Sequence, residues 1–370
     1  MKELVTIQLG DFANYVGSHF WNFQDELLGL AEDLNADSVF KNHDLNMDVL
    51  YRTGETQQVQ FLEIELALRF NEILHLQSSN LTGKKNLFLQ RLYEEEENLI
   101  LANDISSSSN GSQNEYQDKD VVESLENGAE FWTDYSKVHY HLQNTEDFNN
   151  YRIGKDSFSW ALQGEEISDR LRLFVEECDH IQGFQFVVDD SRGFSAVAEE
   201  FLENIVDKYT NTPVLLYAVQ GHRACTRSSH AVSFSRVLSY SKLIVPLGKV
   251  YKFLHIEDEK HYHSSAIYAA ALHSINLSFR MEPVGLIDAF IQMLSRQERQ
   301  NLVSVLDVAI PAPTLSDTWE QNELSLLENL HPLTPQIAED VEDTQAVECI
   351  RYFSMKVTSF SSSSCKPRLN

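Results

Sequence analysis

Glycine is scarce in this chain, 14 of 370 residues, about half of the ~7% usual in globular proteins. The closest pair, Gly10 and Gly17, stands seven residues apart. That spacing excludes the G-x-G-x-x-G fingerprint, the P-loop and the G-x-S-x-G nucleophile elbow. Cysteine is rare too. Cys178, Cys225, Cys349 and Cys365 are widely separated and none forms C-x-x-C, so they read as reduced thiols of a cytosolic protein. No apolar run approaches the ~20 residues that a membrane-spanning helix needs. The first residues, Met1–Asp11, lack both an uninterrupted signal core and the acid-free, Arg-rich character of a transit peptide. Positive charge is in deficit: 29 Lys and Arg face 56 Asp and Glu, a net −27. This excludes a phosphate-neutralising nucleic-acid surface and polybasic docking on anionic lipid.

What is present is a core-forming chain, 42% hydrophobic, long enough for two units or one large unit with insertions. Residues 4–9 alternate as a strand that Gly10-Asp11 breaks, and a helix is expected over 14–28 with Val16, Phe20, Phe23 and Leu27 on one face. The stretch 59–77, rich in Leu, Ile and Glu, reads as helix, and 94–127, acidic and then Ser/Asn-rich, as a disordered insertion. Further on, a helix is expected from Ser168 to Gln182, ended by Gly183, then a strand over 184–188 and a turn over 189–193. Ser195 is expected to cap the next helix. Strands at 213–219 and 243–247 alternate with helices at 232–240, 264–275 and 283–296. Residues 311–335 read as loop with a short helix near 322–330, and 346–370 as a poorly ordered tail. Alternating strands and helices with apolar strands mark a parallel α/β sheet covered on both faces.

Ligands of such sheets bind beyond the carboxyl ends of the strands. Three ends offer polar residues: Gln8, Gly10, Asp11 and Asn14; Asp189, Asp190, Ser191 and Ser195; and Gln220, Gly221 and His222. Helix N-termini near Asn14 and Ser195 would offer backbone N–H groups to an anion. Asp11, Asp189 and Asp190 would face the same space, and like charges ~4 Å apart repel by about 4 kcal/mol at an effective dielectric of about 20. A phosphate there calls for Mg²⁺; without a ligand, Asp189 and Asp190 read as turn and cap residues. His139-Tyr-His141 and His261-Tyr-His263 repeat H-x-H. On a strand each pair would share a face and suit a metal enzyme; solvated histidines are the plainer reading. Cys178, on an apolar helix face, reads as core rather than nucleophile.

The segment from Glu3 to Trp21, with Leu9-Gly-Asp-Phe-Ala-Asn-Tyr-Val-Gly-Ser-His-Phe-Trp21, resembles the opening of tubulins. Cys178-Asp-His-Ile-Gln-Gly-Phe-Gln185 resembles the tubulin helix and strand entered through Asp-x-x-Gln-Gly-Phe-Gln. Gly17-Ser-His-Phe-Trp-Asn22, Asp48-Val-Leu-Tyr-Arg-Thr-Gly54, Val175-Glu-Glu-Cys-Asp179 and Gly193-Phe-Ser195 are similar to the Misato family of tubulin-related proteins, closest to its plant members. The resemblance covers about 1–58 and 84–312. It implies a tubulin/FtsZ-like, doubly wound parallel sheet (a Rossmann-like nucleotide domain) with its C-terminal part truncated. The division it implies is a strand-helix unit at 1–58, an atypical helix plus acidic insertion at 59–130, the rest of the nucleotide domain at 131–312, and a linker with tail at 313–370.

By position the resemblance places Gly10, Asp11 and Asn14 on the first nucleotide loop and Asp189, Asp190, Ser191, Gly193 and Ser195 on the loop that is a glycine run in tubulins. Only Gly193 of those glycines remains, and Arg192 and Phe194 take up room that glycine leaves for main-chain N–H groups to approach phosphate. Ser264 stands where tubulins place a guanine-contacting Asn. No counterpart of the tubulin activation loop occurs in Arg299–Pro313, so self-activated hydrolysis is not expected. Stretches 59–83 and 346–370 depart from the family wording, as an alternative transcript or a gene-model error would produce. The expectation is a non-catalytic, tubulin-related protein of the cytoplasm and the outer mitochondrial surface, acting in mitochondrial distribution, morphology and fusion. It would need no cofactor, and would meet protein partners or tubulin-like assemblies rather than nucleic acid or the membrane interior. The alternative is a residual GTPase that holds GTP or GDP with Mg²⁺ in the same residues.

Overall fold

The computed structural model describes residues 3–32, 46–53, 59–61, 63–66, 128–129, 132–136, 152, 155, 168–169, 171–176, 178–190, 193–220, 235–248, 260–280, 286–294, 307–309 and 330–332. Its centre is a five-stranded sheet in the order β4-β1-β5-β6-β7. The strands are β1 (Glu3–Leu9), β4 (Glu63–Leu66), β5 (Ile181–Asp189), β6 (Val214–Val219) and β7 (Leu243–Leu247), and every neighbouring pair is parallel. Two small antiparallel pairs stand apart from it: β2 (Tyr51–Thr53) with β3 (Val59–Phe61), and β8 (Asp307–Ala309) with β9 (Leu330–Pro332). The helices described from end to end are α1 (Asp11–Glu32), α2 (Phe194–Lys208), α3 (His261–Leu277) and α4 (Ile287–Leu294), and residues 171–176 and 235–240 are also helical.

Side chains alternate across the strands, so the sheet separates two cores. Val5, Ile7, Leu9, Phe184, Phe186, Val188, Leu216 and Ile244 pack with α2. Leu4, Val187, Leu215, Tyr217, Leu243 and Val245 pack with α1, α3 and α4. Strands β1, β5, β6 and β7 are thus buried on both faces, as near-continuous apolar runs in a parallel sheet require. On the α1 side the alternation also places Thr6, Gln8 and Gln185, all buried. Gln8 fits because α1 presents Gly17 above it: a Cβ at that position would lie 1.8 Å from the Gln8 Oε1. The close approach of helix and sheet therefore depends on one missing methyl group.

Three buried polar links hold α1 to its surroundings. Gln24 accepts a hydrogen bond from the Arg280 guanidinium and donates through Nε2 to His273 Nδ1 at 2.8 Å. His19 donates through Nε2 to the Tyr262 carbonyl at 2.9 Å. Tyr135 donates its hydroxyl to the Tyr15 carbonyl at 2.9 Å. Burial brings His19 down to about 4 and His273, with the Arg280 charge beside it, down to about 4. Protonating His273 would set an N–H against the Gln24 N–H. At the start of the sheet, the buried Glu3 carboxylate accepts from the backbone N–H groups of His180 (2.9 Å) and Asp179 (3.2 Å).

Several expectations are corrected here. Residues 59–61 and 63–66 are strands, not the start of a helix. Glu63–Leu66 pairs with Thr6–Leu9, and the open edge of β1 outweighs the helix propensity of Leu and Glu. Gly183 lies inside β5 rather than ending a helix; residues 178–180 are already outside helical structure and the strand begins at Ile181. The cap position of α2 is Gly193, not Ser195, and no side chain caps that helix. His261 and His263 open α3, where positions two apart diverge by ~200° instead of sharing a face. Leu330–Pro332 forms a strand where loop and helix were expected. Strand β7 falls on the predicted residues. The insertion at 94–127, the tail at 346–370, and His139 and His141 lie outside the described residues.

Two outcomes test these contacts. Gly17→Ala should destabilise the fold by about 1–3 kcal/mol, and adding Gln8→Ala should recover part of the loss, read as coupling in urea unfolding. For His19 and His273 the folded state favours the neutral ring, so stability is full above the unfolded value near 6.5 and falls as pH drops toward about 4. The urea midpoint should follow that window, and His273→Asn, which keeps an acceptor that does not titrate, should remove part of the slope and leave the part due to His19.

Candidate functional site

The carboxyl ends of β1 and β5 meet the start of α1. Gly10, the one residue between β1 and α1, has φ +108°, a conformation that favours glycine. A Cβ there would lie 2.4 Å from Asp189 Cβ and 3.0 Å from the Phe194 ring. Asp189 ends β5 and is buried, and its Oδ2 accepts the backbone N–H of Phe12 at 3.1 Å. A carboxylate thus sits on the positive end of α1, in the place that a helix N-terminus offers to an anion. Phe194, the first residue of α2, closes the same corner with its ring.

The structure brings Gly10, Asp189 and Phe194 into one cluster, with Asp11 opening α1 beside them. Asp190 is buried and its N–H donates to the Val219 carbonyl at 2.9 Å, which ties the end of β5 to β6. Asn14, one turn into α1, is buried, and its carboxamide has no hydrogen-bond partner among the described residues. Gly193 has φ −71° and accepts from Ala196 (3.0 Å) and Val197 (3.3 Å), so its position does not use the freedom of glycine. Ser195 is buried in the first turn of α2. Ser264 is buried in the first turn of α3, and its hydroxyl donates back to the Lys260 and His261 carbonyls at 3.3 and 3.4 Å. Ser191, Gly221 and His222 lie outside the described residues.

Aromatic residues join these starts of helices. The Phe12 ring lies 5.5 Å from His261 and 5.7 Å, edge-on, from Tyr268; Tyr15 lies 5.2 Å from His261. The Tyr268 hydroxyl donates to the Gly248 carbonyl. His261 is therefore half-buried packing, not a solvated histidine. Phe12, Tyr15 and Tyr268 were not singled out in the sequence; the available signal was bulky rings at a strand end where a phosphate loop would carry small residues. Cys178 is half-buried and donates its thiol to the Phe174 carbonyl at 3.2 Å, in keeping with a packing role. Among the described residues no group of three or more His, Cys, Asp or Glu could hold a metal ion, and no helix is long and apolar enough to cross a membrane.

Comparison with known proteins matches residues 2–127 to the Misato Segment II tubulin-like domain and residues 124–281 to the tubulin domain. The first match runs across 59–83, where the wording had looked foreign. Protein misato homolog 1 of Mus musculus is 27% identical over 334 residues, covering 76% of this chain and 59% of its own length. Protein misato homolog 1 of Homo sapiens is 26% identical over 354 residues, with coverage of 77% and 61%. Protein misato of Drosophila melanogaster is 26% identical over 354 residues, with coverage of 76% and 60%. The chain spans about three fifths of the length of the curated relatives it matches.

Gly10→Ala should destabilise by about 2 kcal/mol or more, because it meets both a positive φ and the Asp189 Cβ. Trimming Phe194 to Ala in the same chain should not restore it, since the nearer clash is with Asp189; urea unfolding of the two variants decides.

Proposed function

The chain belongs to the Misato family of tubulin-related proteins, and from that premise we propose that it acts in mitochondrial distribution and morphology, fusion included, as a scaffold that neither holds nor hydrolyses nucleotide. One observation carries the second half of this reading. The α1 N-terminus, where a tubulin-like fold would set phosphate, carries the Asp189 carboxylate, and the Phe194 ring closes the adjoining corner. These residues do not fit a triphosphate. A phosphate seated there would displace the carboxylate from the Phe12 N–H or stand against it at close range, where like charges repel by about 4 kcal/mol. The hydroxyl of Ser264, turned back on its own helix, offers little to a guanine.

In this reading the protein works in the cytoplasm and on the outer face of mitochondria, through protein partners or tubulin-like assemblies. Its net charge of −27 favours protein surfaces of opposite sign over nucleic acid or anionic lipid. The tubulin architecture supplies a rigid body with a fixed set of surfaces, and no nucleotide state is needed to present them.

Equilibrium titration of the purified protein with a fluorescent GTP analogue, with and without Mg²⁺, should give no saturable binding in the micromolar range. Micromolar affinity would overturn the scaffold reading in favour of a residual GTPase. In cells, loss of the protein should alter the mitochondrial network, and re-expression should restore it; an unchanged network removes the mitochondrial role.

A further inference from the structure

The corner formed by Gly10, Phe12, Asp189 and Phe194 has a second consequence. A helix of 22 residues directs the positive end of its macrodipole at the junction with the sheet. In a chain whose fold is completed by a bound anion, that end stays unsatisfied until the anion arrives. Here the group on it is covalently part of the chain. The Asp189 carboxylate is buried, sits 3.1 Å from the Phe12 N–H and is backed by a glycine whose φ of +108° lets β1 turn directly into α1 against it. Asp190 fixes the same strand end through its bond to Val219, so the carboxylate is presented by a held backbone.

We propose that Asp189 is a built-in substitute for the anion, which completes the β1–α1 junction and keeps the domain in one conformation irrespective of nucleotide. The inference rests on the nucleotide-free reading above. It assigns Asp189 a positional role: the residue touches no substrate, and its carboxylate does permanently what a bound phosphate would do transiently. A chain that lacks this carboxylate should then accept an external anion in its place.

The test compares the unaltered protein, Asp189→Asn and Asp189→Ala in inorganic phosphate and in chloride of equal ionic strength. The readouts are the urea midpoint and amide hydrogen exchange over the first turn of α1. The midpoint should fall in Asp189→Asn and further in Asp189→Ala, and exchange of the Phe12 and Ala13 amides should quicken about tenfold in Asp189→Ala. Phosphate should slow that exchange again and raise the midpoint of Asp189→Ala saturably, while leaving the unaltered protein unchanged. Should Asp189→Ala not fold, Asp189→Ser, also small and uncharged, gives the same comparison. Exchange in the small variant that equals that of the unaltered protein, or that is equally fast in phosphate and chloride, overturns the proposal. Failure here with no binding of the GTP analogue sinks the substitute alone; binding of the analogue by the unaltered protein sinks the scaffold reading itself.

Discussion

The bond from the Phe12 N–H to the Asp189 carboxylate joins the beginning of the first long helix to the end of a central strand 177 residues away in sequence. It places a negative group where the helix dipole favours one, and it does so in a corner from which water is largely excluded, where such an interaction is least screened. Strands β1 and β5 are neighbours in the sheet, and Leu9 stands opposite Val188. Once they pair, Gly10 and Asp189 are forced together at their ends. The left-handed turn at Gly10, the entry angle of α1 and the position of Phe194 all follow from that encounter.

From this corner α1 runs across one face of the sheet, and what holds it there is a mixture of apolar and polar contacts. Phe20 and Trp21 supply the apolar part. Gln24 between Arg280 and His273, and His19 on the Tyr262 carbonyl, supply directional bonds within the same layer. Apolar burial alone would tolerate sliding of the helix along the sheet, whereas buried donors and acceptors lose their partners with any shift. The opposite face is simpler. There Phe184, Phe186 and Phe201 belong to the interior, and the buried Glu199 binds Arg236 at 2.6 Å to hold helical residues 235–240 against α2.

Strands β1, β5, β6 and β7 were legible in the sequence because they are short apolar runs between turn residues, and β7 was found to the residue. The helices were legible in type but not in length. Helix α1 starts at Asp11, three residues before the expected position, because Asp189 supplies from a distance the cap that no nearby residue signals. Strand β4 was misread because Glu-Ile-Glu-Leu carries both a strand alternation and good helix formers, and only the free edge of β1 decides between them. The site was half legible. The loss of glycines around Gly193 and the crowding by Phe194 could be seen in the chain; the seat of the Asp189 carboxylate could not, because a carboxylate in a turn looks the same whether it faces solvent or a helix end.

Glu3 offers a practical lesson. Its buried carboxylate closes the lower end of the β1–β5 pair by taking the N–H groups of Asp179 and His180. Both oxygens of that one side chain are engaged, so a label or crosslinker attached to it would free two backbone donors at once and prise β1 from β5 at its base.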